Sequence, residues 1–370
     1  MRQYIFHYLP KLQYLKRREY ELVTYADLIV VVGGLLVMTS MKKLRVAGRL
    51  YGVMAGVLFF SLLQTSVGWA DGDTDGTVRK VGSGAKIAVI YPDIGEPYRS
   101  VFDQIISGIE SKAKARVINF AVGPNVDVGE LKSNLRQQNV KVVIALGQQG
   151  LKIAAQMDRD MGVVVGGVIA PPASGMRDVP VNSLSPDPAL LFSHLKALMP
   201  GVRRVFAVYD SRQSGWLINL AKEGARAQGL ELVAYEAQDL RGAVKMYQDI
   251  FASADSHRDA LWLLQDSISA ENGSVLPLVL QQSWDRNLAV FSSSSGHVRR
   301  GVLFSLYPDN AAMGSHLADT ALEFMASGEY GQHGMILLQE VLMAINLRTA
   351  DHLGLKPSKK LEFGMVFPEQ

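Results

Sequence analysis

The chain has 370 residues, 48% of them hydrophobic and 20% charged, with 34 Gly, 14 Pro and no Cys. This composition excludes a disordered or low-complexity protein, and the missing cysteine excludes disulfide frameworks, thiolate nucleophiles, iron–sulfur clusters and a lipoprotein anchor. The formal charge of +3 does not describe the body: nine of the 38 Lys/Arg and three of the 35 acids lie in residues 1–70, leaving 29 bases and 32 acids, a net −3, in 71–370. A mildly acidic body gives no electrostatic argument for nucleic acid.

The N-terminal segment reads as an export signal. A basic run at 41–45 is followed by the uncharged, mostly apolar 50–63, and Gly68 and Ala70 supply small residues ahead of Asp71. This pattern predicts a signal peptide over 41–70, cleaved after Ala70; left uncleaved, it would serve as a membrane anchor. Its apolar stretch is shorter than the ~20 residues of a comfortable span. Residues 1–40 are a doubtful extension, explained most simply if translation starts at Met41. The Gly/Asp-rich 71–84 is expected to be a linker.

Beyond it, short apolar runs alternate with amphipathic stretches. Strands are predicted at 86–91, 117–122, 141–146 and 163–169, with helices at 96–112, 128–138 and 148–157 between them. A polar, Pro-bearing crossing is expected at 182–188. The pattern then repeats, with helices at 188–199, 215–228, 240–254 and 275–285 and strands at 204–209, 230–235, 260–264, 288–292 and 302–306. A helix at 316–326, an apolar run at 341–346, a helix near 349–353 and a closing run at 363–367 complete the chain. Strands alternating with helices imply right-handed βαβ units, and two such sets imply two doubly wound parallel-sheet lobes. In such sheets ligands bind outside the carboxyl ends of the strands, so two facing lobes make a cleft that closes about a hinge.

Signature motifs of catalysis are missing. There is no phosphate-binding G-x-x-x-x-G-K-[ST], no G-x-G-x-x-G after the first strand, no G-x-S-x-G and no H-E-x-x-H, and the six His beyond residue 71 are scattered singly. No cofactor, metal site or catalytic residue is nominated, which favours binding over chemistry.

Four segments carry a family resemblance. Residues 200–210 (PGVRRVFAVYD), 227–233 (AQGLELV), 301–309 (GVLFSLYPD) and 344–355 (AINLRTADHLGL) resemble, in order, motifs of the ABC-transporter substrate-binding proteins of the tryptophan/tyrosine-binding type. The resemblance covers about 86–370. It implies a type I periplasmic-binding fold with three hinge crossings, lobe one being 85–184 plus 308–330 and lobe two 187–304 plus 335–370. It implies a monomeric, periplasmic protein that captures a small solute and hands it to a membrane permease with its ATPase. Two lobe-one loops depart from the family: Ile169-Ala170-Pro171-Pro172 lacks its usual acid, and Gly147-Gln148-Gln149-Gly150 replaces a Thr/Ser-Pro-Ala run.

The candidate ligand residues lie at strand ends. In lobe one they are Tyr91, a stacking surface or a core cap, and Gly147, Gln148 and Gln149, where helix amides would favour a carboxylate. In lobe two they are Asp210 and Ser214, and Trp216, a stacking platform or an inward-packed helix residue. Gln265, Asp266 and Ser267 follow, with Asp266 either the counter-charge for an ammonium or a turn acid. Ser292 and Ser293 offer hydroxyls, and Tyr307 lies near a hinge crossing. The competing function is a ligand sensor for a membrane signalling partner; an exported enzyme is a weaker third.

Overall fold

The computed structural model describes residues 84 and 86–369, except 97, 115–116, 170, 172–177 and 358–361. The expected signal peptide, the 1–40 extension, nearly all of the linker and most of the loop after the fourth strand lie outside the described residues.

The first lobe starts with β1 (Lys86–Pro92), α1 (Arg99–Ala113), β2 (Val117–Val122), α2 (Val128–Gln137), β3 (Val140–Leu146), α3 (Gly147–Ala154), β4 (Gly162–Val168) and β5 (Pro180–Pro186). The second follows with α4 (Pro188–Leu198), β6 (Arg204–Tyr209), α5 (Ser211–Ala227), β7 (Glu231–Glu236), α6 (Leu240–Ser253), β8 (Asp259–Leu263), α7 (Val275–Asp285), β9 (Ala289–Ser292), α8 (Ser295–Arg299) and β10 (Phe304–Pro308). The chain returns to the first lobe for α9 (Asn310–Ser327) and β11 (Gly334–Leu338), then ends in the second with β12 (Val341–Asn346), α10 (Leu347–His352) and β13 (Met365–Phe367). The sheets run β11-β5-β4-β3-β1-β2 and β13-β12-β10-β9-β8-β6-β7.

Each sheet is covered on both faces, as its continuous apolar strands require. On β1, Ala88 and Ile90 pack with α2 and α3 through Leu131, Leu135 and Leu151, while Ile87 and Val89 pack with α1 and α9 through Ile105, Ile109, Met313 and Leu317. In the second lobe α4 and α5 cover one face around Phe192 and Trp262, and α6 and α7 the other around Tyr247 and Leu276. Side chains of this size contribute roughly 1.5–3 kcal/mol each when fully buried.

Three expectations need correction. The segment 182–188 is not an open crossing: 180–186 is a fully buried strand between β4 and β11. Its polar side chains are satisfied inside the sheet, with the Asn182 amide donating to Val165 O and the Ser185 hydroxyl to Ile169 O. Second, residues 335–338, expected in the second lobe, pair with β5 in the first sheet. Third, the second sheet is mixed, because the short return from β11 lays β12 antiparallel to β10.

Three crossings join the lobes, at Asp187, Asp309 and the turn Gln339–Glu340. They lie side by side: Asp187 N–H donates to Leu338 O at 3.1 Å, Asp309 N–H to Glu340 O at 2.9 Å, and the Gln339 amide to Asp187 Oδ2 at 2.8 Å.

Candidate functional site

β5, β10 and β11 all enter the crossings at their carboxyl ends, and the strands parallel to them end on the same side of each sheet. The loops that follow them are therefore the candidate walls of a cleft.

In lobe one, β3 turns directly into α3 at Gly147, whose φ of +71° is a conformation glycine tolerates freely. A Cβ at Gly150 would press on the Ala145 backbone at 2.7 Å, so both glycines of the Gly-Gln-Gln-Gly run are required by the turn. Gln148 is exposed, while the Gln149 amide donates to Gly123 O and ties the end of β2 to the start of α3. Tyr91 is half-buried and stacks on Phe102, ring centroids 6.3 Å apart, and Phe102 in turn underlies Gly147.

In lobe two the structure brings Asp210, Ser214, Asp266 and Ser267 into one bonded cluster. The buried Asp210 caps α5 through the Arg212 N–H, and its carboxylate accepts from Arg212 Nε at 3.0 Å and Nη2 at 2.9 Å. These Arg212 bonds, set against burial, hold its carboxyl below the usual carboxylate range. Asp266 accepts from the N–H groups of Asp210, Ile268 and Ser269 and from the Ser214 hydroxyl. A carboxylate offers about four lone-pair sites. Asp266 is thus a turn acid with its acceptor capacity filled by the protein. Gln213, absent from the sequence-based candidates, bridges the two loops, donating to Asp210 Oδ2 and accepting from the Ser267 N–H. Its signal was the third-residue spacing after a helix-capping Asp. Gln265 is half-buried beside this cluster. Trp216 donates its indole N–H to Gln213 O at 3.2 Å and packs partly against the core.

At the end of β9, the serines are buried and mostly occupied. Ser293 Oγ accepts from the Trp262 indole, and Ser292 Oγ donates to Leu263 O and lies 2.7 Å from His297 Nδ1. A neutral His297 with its proton on Nδ1 satisfies this arrangement, and burial, with the nearby Arg300, depresses that imidazole to about 4. The hydroxyls of Ser294 and Ser295 are buried with no protein partner. Tyr307 packs among Val298, Ala344 and Phe367, and burial raises its hydroxyl above the ordinary range, aided by Asp309. It is a core residue of the second lobe.

Two cavities, of about 630 Å³ beside the crossings and about 480 Å³ on the second lobe, are lined by none of the predicted residues. Among the described residues no cluster of three or more His, Asp or Glu is placed to hold a metal ion.

Comparison with known proteins gives one family match and several structures of like fold. A family model described as ABC transporter substrate binding protein matches residues 190–362. The ligand-free, open structure of CD0873, a substrate-binding protein with adhesive properties from Clostridium difficile, is 16% identical over 76% of this chain and 99% of that one, with a TM-score of 0.56. An ABC domain in complex with L-Trp from Streptococcus pneumonia is 18% identical over 77% of this chain and 100% of that one, with a TM-score of 0.46. Comparison with curated proteins finds no match. The family's model is matched across most of the second lobe, and the two-lobed architecture is the type I periplasmic-binding fold.

Proposed function

We propose that the protein captures a small carboxylate-bearing solute, an aromatic amino acid first among them, between its lobes and delivers it outside the cytoplasm to an ABC permease and its ATPase. It acts as a monomer and without catalysis, and it is exported by cleavage after Ala70. The observation that carries this reading is the triple crossing between two mostly parallel sheets whose strand-end loops point toward the hinge side. Such a hinge lets the lobes close on a solute and report its presence as a change of shape.

The residues suggest how a solute is held. The first amides of α3, at Gly147, Gln148 and Gln149, meet a carboxylate, with the exposed Gln148 amide free to add a hydrogen bond. Tyr91 and Trp216 supply flat apolar surface from opposite lobes. With Asp266 filled, Ser294 and Ser295 are the hydroxyls left to a ligand at the end of β9. Ser292, Ser293, Asp210, Ser214, Gln265 and Ser267 then hold the wall rather than the solute. The family match favours transport over sensing.

A thermal-shift screen of amino acids, nucleosides and small carboxylates tests this. Saturating L-tryptophan or L-tyrosine is expected to raise Tm by several degrees, and Gln148→Ala to weaken binding about tenfold while leaving the ligand-free Tm unchanged. A flat response to every compound would overturn the reading.

A further inference from the structure

The second lobe has a built feature at the pole opposite its strand-end loops. Trp284 and Asp285 close α7 just before β9, and the Asn346 N–H at the end of the antiparallel β12 donates to Leu303 O, just before β10. The 480 Å³ cavity opens between these points, at the amino ends of β9 and β10. It therefore lies outside the region proposed for the transported solute.

Three arginines, Arg299, Arg300 and Arg348, are among the residues lining this one cavity, with a single acid, Asp285. Two of them, Arg300 and Arg348, have no acidic partner among the described residues. Arg300 donates to the neutral Asn272, at 2.6 Å to its Oδ1 and 3.2 Å to its carbonyl. Arg299 meets Glu369 at 3.4 Å in a pair whose side chains are 44% and 62% exposed, a geometry of little strength. Arg348 forms no ion pair among the described residues and lies over the Trp284 ring at 5.5 Å. Trp284 is 37% exposed, and its ring is held by parallel stacking on His352 at 3.6 Å. Three arginines thus border one recess, and one of them, Arg348, lies over the stacked Trp284 ring.

Arginine forks match the oxygens of phosphate and carboxylate bidentately. Guanidinium groups whose protein partner is neutral, or that have no ion pair, suit a phosphate monoester, which carries more negative charge than one carboxylate. The recess is larger than phosphate alone needs, and Leu280 and Trp284 give it an apolar wall for an esterified group. We propose that this pole is a second binding site, for the phosphate group of a phosphate ester, with Arg300 and Arg348 gripping the oxygens and Trp284 covering the organic part.

Tryptophan fluorescence of the purified protein in low salt, titrated with glycerol 3-phosphate, tests the site. A saturable change is expected, absent from Trp284→Phe, with half-saturation raised about tenfold in Arg348→Ala and weakened by added salt. Arg348 is exposed, so an unchanged Tm shows that the variant is folded. A parallel sedimentation arm uses phosphatidylcholine vesicles with and without phosphatidylglycerol. Binding only to vesicles holding phosphatidylglycerol, lost in Arg348→Ala, makes the ester a lipid headgroup; binding of glycerol 3-phosphate makes it a free solute. No response in either arm, or equal binding by Arg348→Ala, overturns the proposal.

Discussion

Asp266 gathers four donors from two loops, so removing its carboxylate strands several of them at once. Asp266→Ala is expected to lower unfolding free energy by about 3 kcal/mol in urea titration, and Asp266→Asn by clearly less, because one oxygen still accepts. If Asp266→Asn instead abolished solute binding at unchanged stability, the residue would be the ligand's counter-charge after all. His297 makes a second residue-scale prediction. Its imidazole is depressed from 6.5 to about 4 by burial, so between those values the unfolded chain binds a proton that the folded chain does not. Its contribution is complete above about pH 6.5 and falls away as pH drops through the window, at up to about 1.4 kcal/mol per pH unit. Thermal melts at stepped pH are expected to show this slope in the native protein and a shallower one in His297→Asn. This partnership was not legible in the sequence, where His297 is one of several scattered histidines. Only folding reveals that a five-residue spacing from Ser292 buries both.

Elements were legible wherever local pattern and tertiary role agree. The β-branched runs of β1, β3 and β6 and the amphipathic faces of α1 and α6 announce themselves because each is buried in the way its period implies. β5 did not, because its Pro, Asn and Ser residues imitate a loop until hydrogen bonds to Val165 and Ile169 satisfy them. β11 is a half-buried edge strand with a weak apolar signal, and its pairing with β5 spans about 150 residues of chain, which no local pattern encodes. The α1–α9 pair shows a further non-local demand. A Cβ on Gly108 would overlap the Ala311 carbonyl, and one on Gly314 the Ile105 carbonyl. A glycine-to-alanine change inside an exposed helix commonly adds up to about 1 kcal/mol. Here Gly108→Ala or Gly314→Ala is expected to cost about 2–3 kcal/mol, read from the urea midpoint, because the helices must separate.

The whole molecule turns on the relation between two separately cored lobes and the crossings between them. Each lobe buries its own sheet, so motion about Asp187, Asp309 and Gln339–Glu340 need not disturb either core. Two expectations made this architecture visible in advance: the repeated strand–helix pattern and the four family-like segments. The solute-gripping residues were less legible, because strand-end polar residues serve capping and binding with the same chemistry. Asp210 and Asp266 were named from their positions, and the structure shows both carboxylates accepting hydrogen bonds from neighbouring side chains and N–H groups. Since the chain has no cysteine, a pair of labels can be placed without background. Spin labels at Ser133→Cys on α2 and Lys245→Cys on α6, both exposed, would report the distance between the lobes during a titration with L-tryptophan. A capture protein predicts a shorter distance that saturates at one equivalent, with the amino acid recovered unchanged. An unaltered distance despite bound L-tryptophan, or its conversion to another compound, would contradict the account.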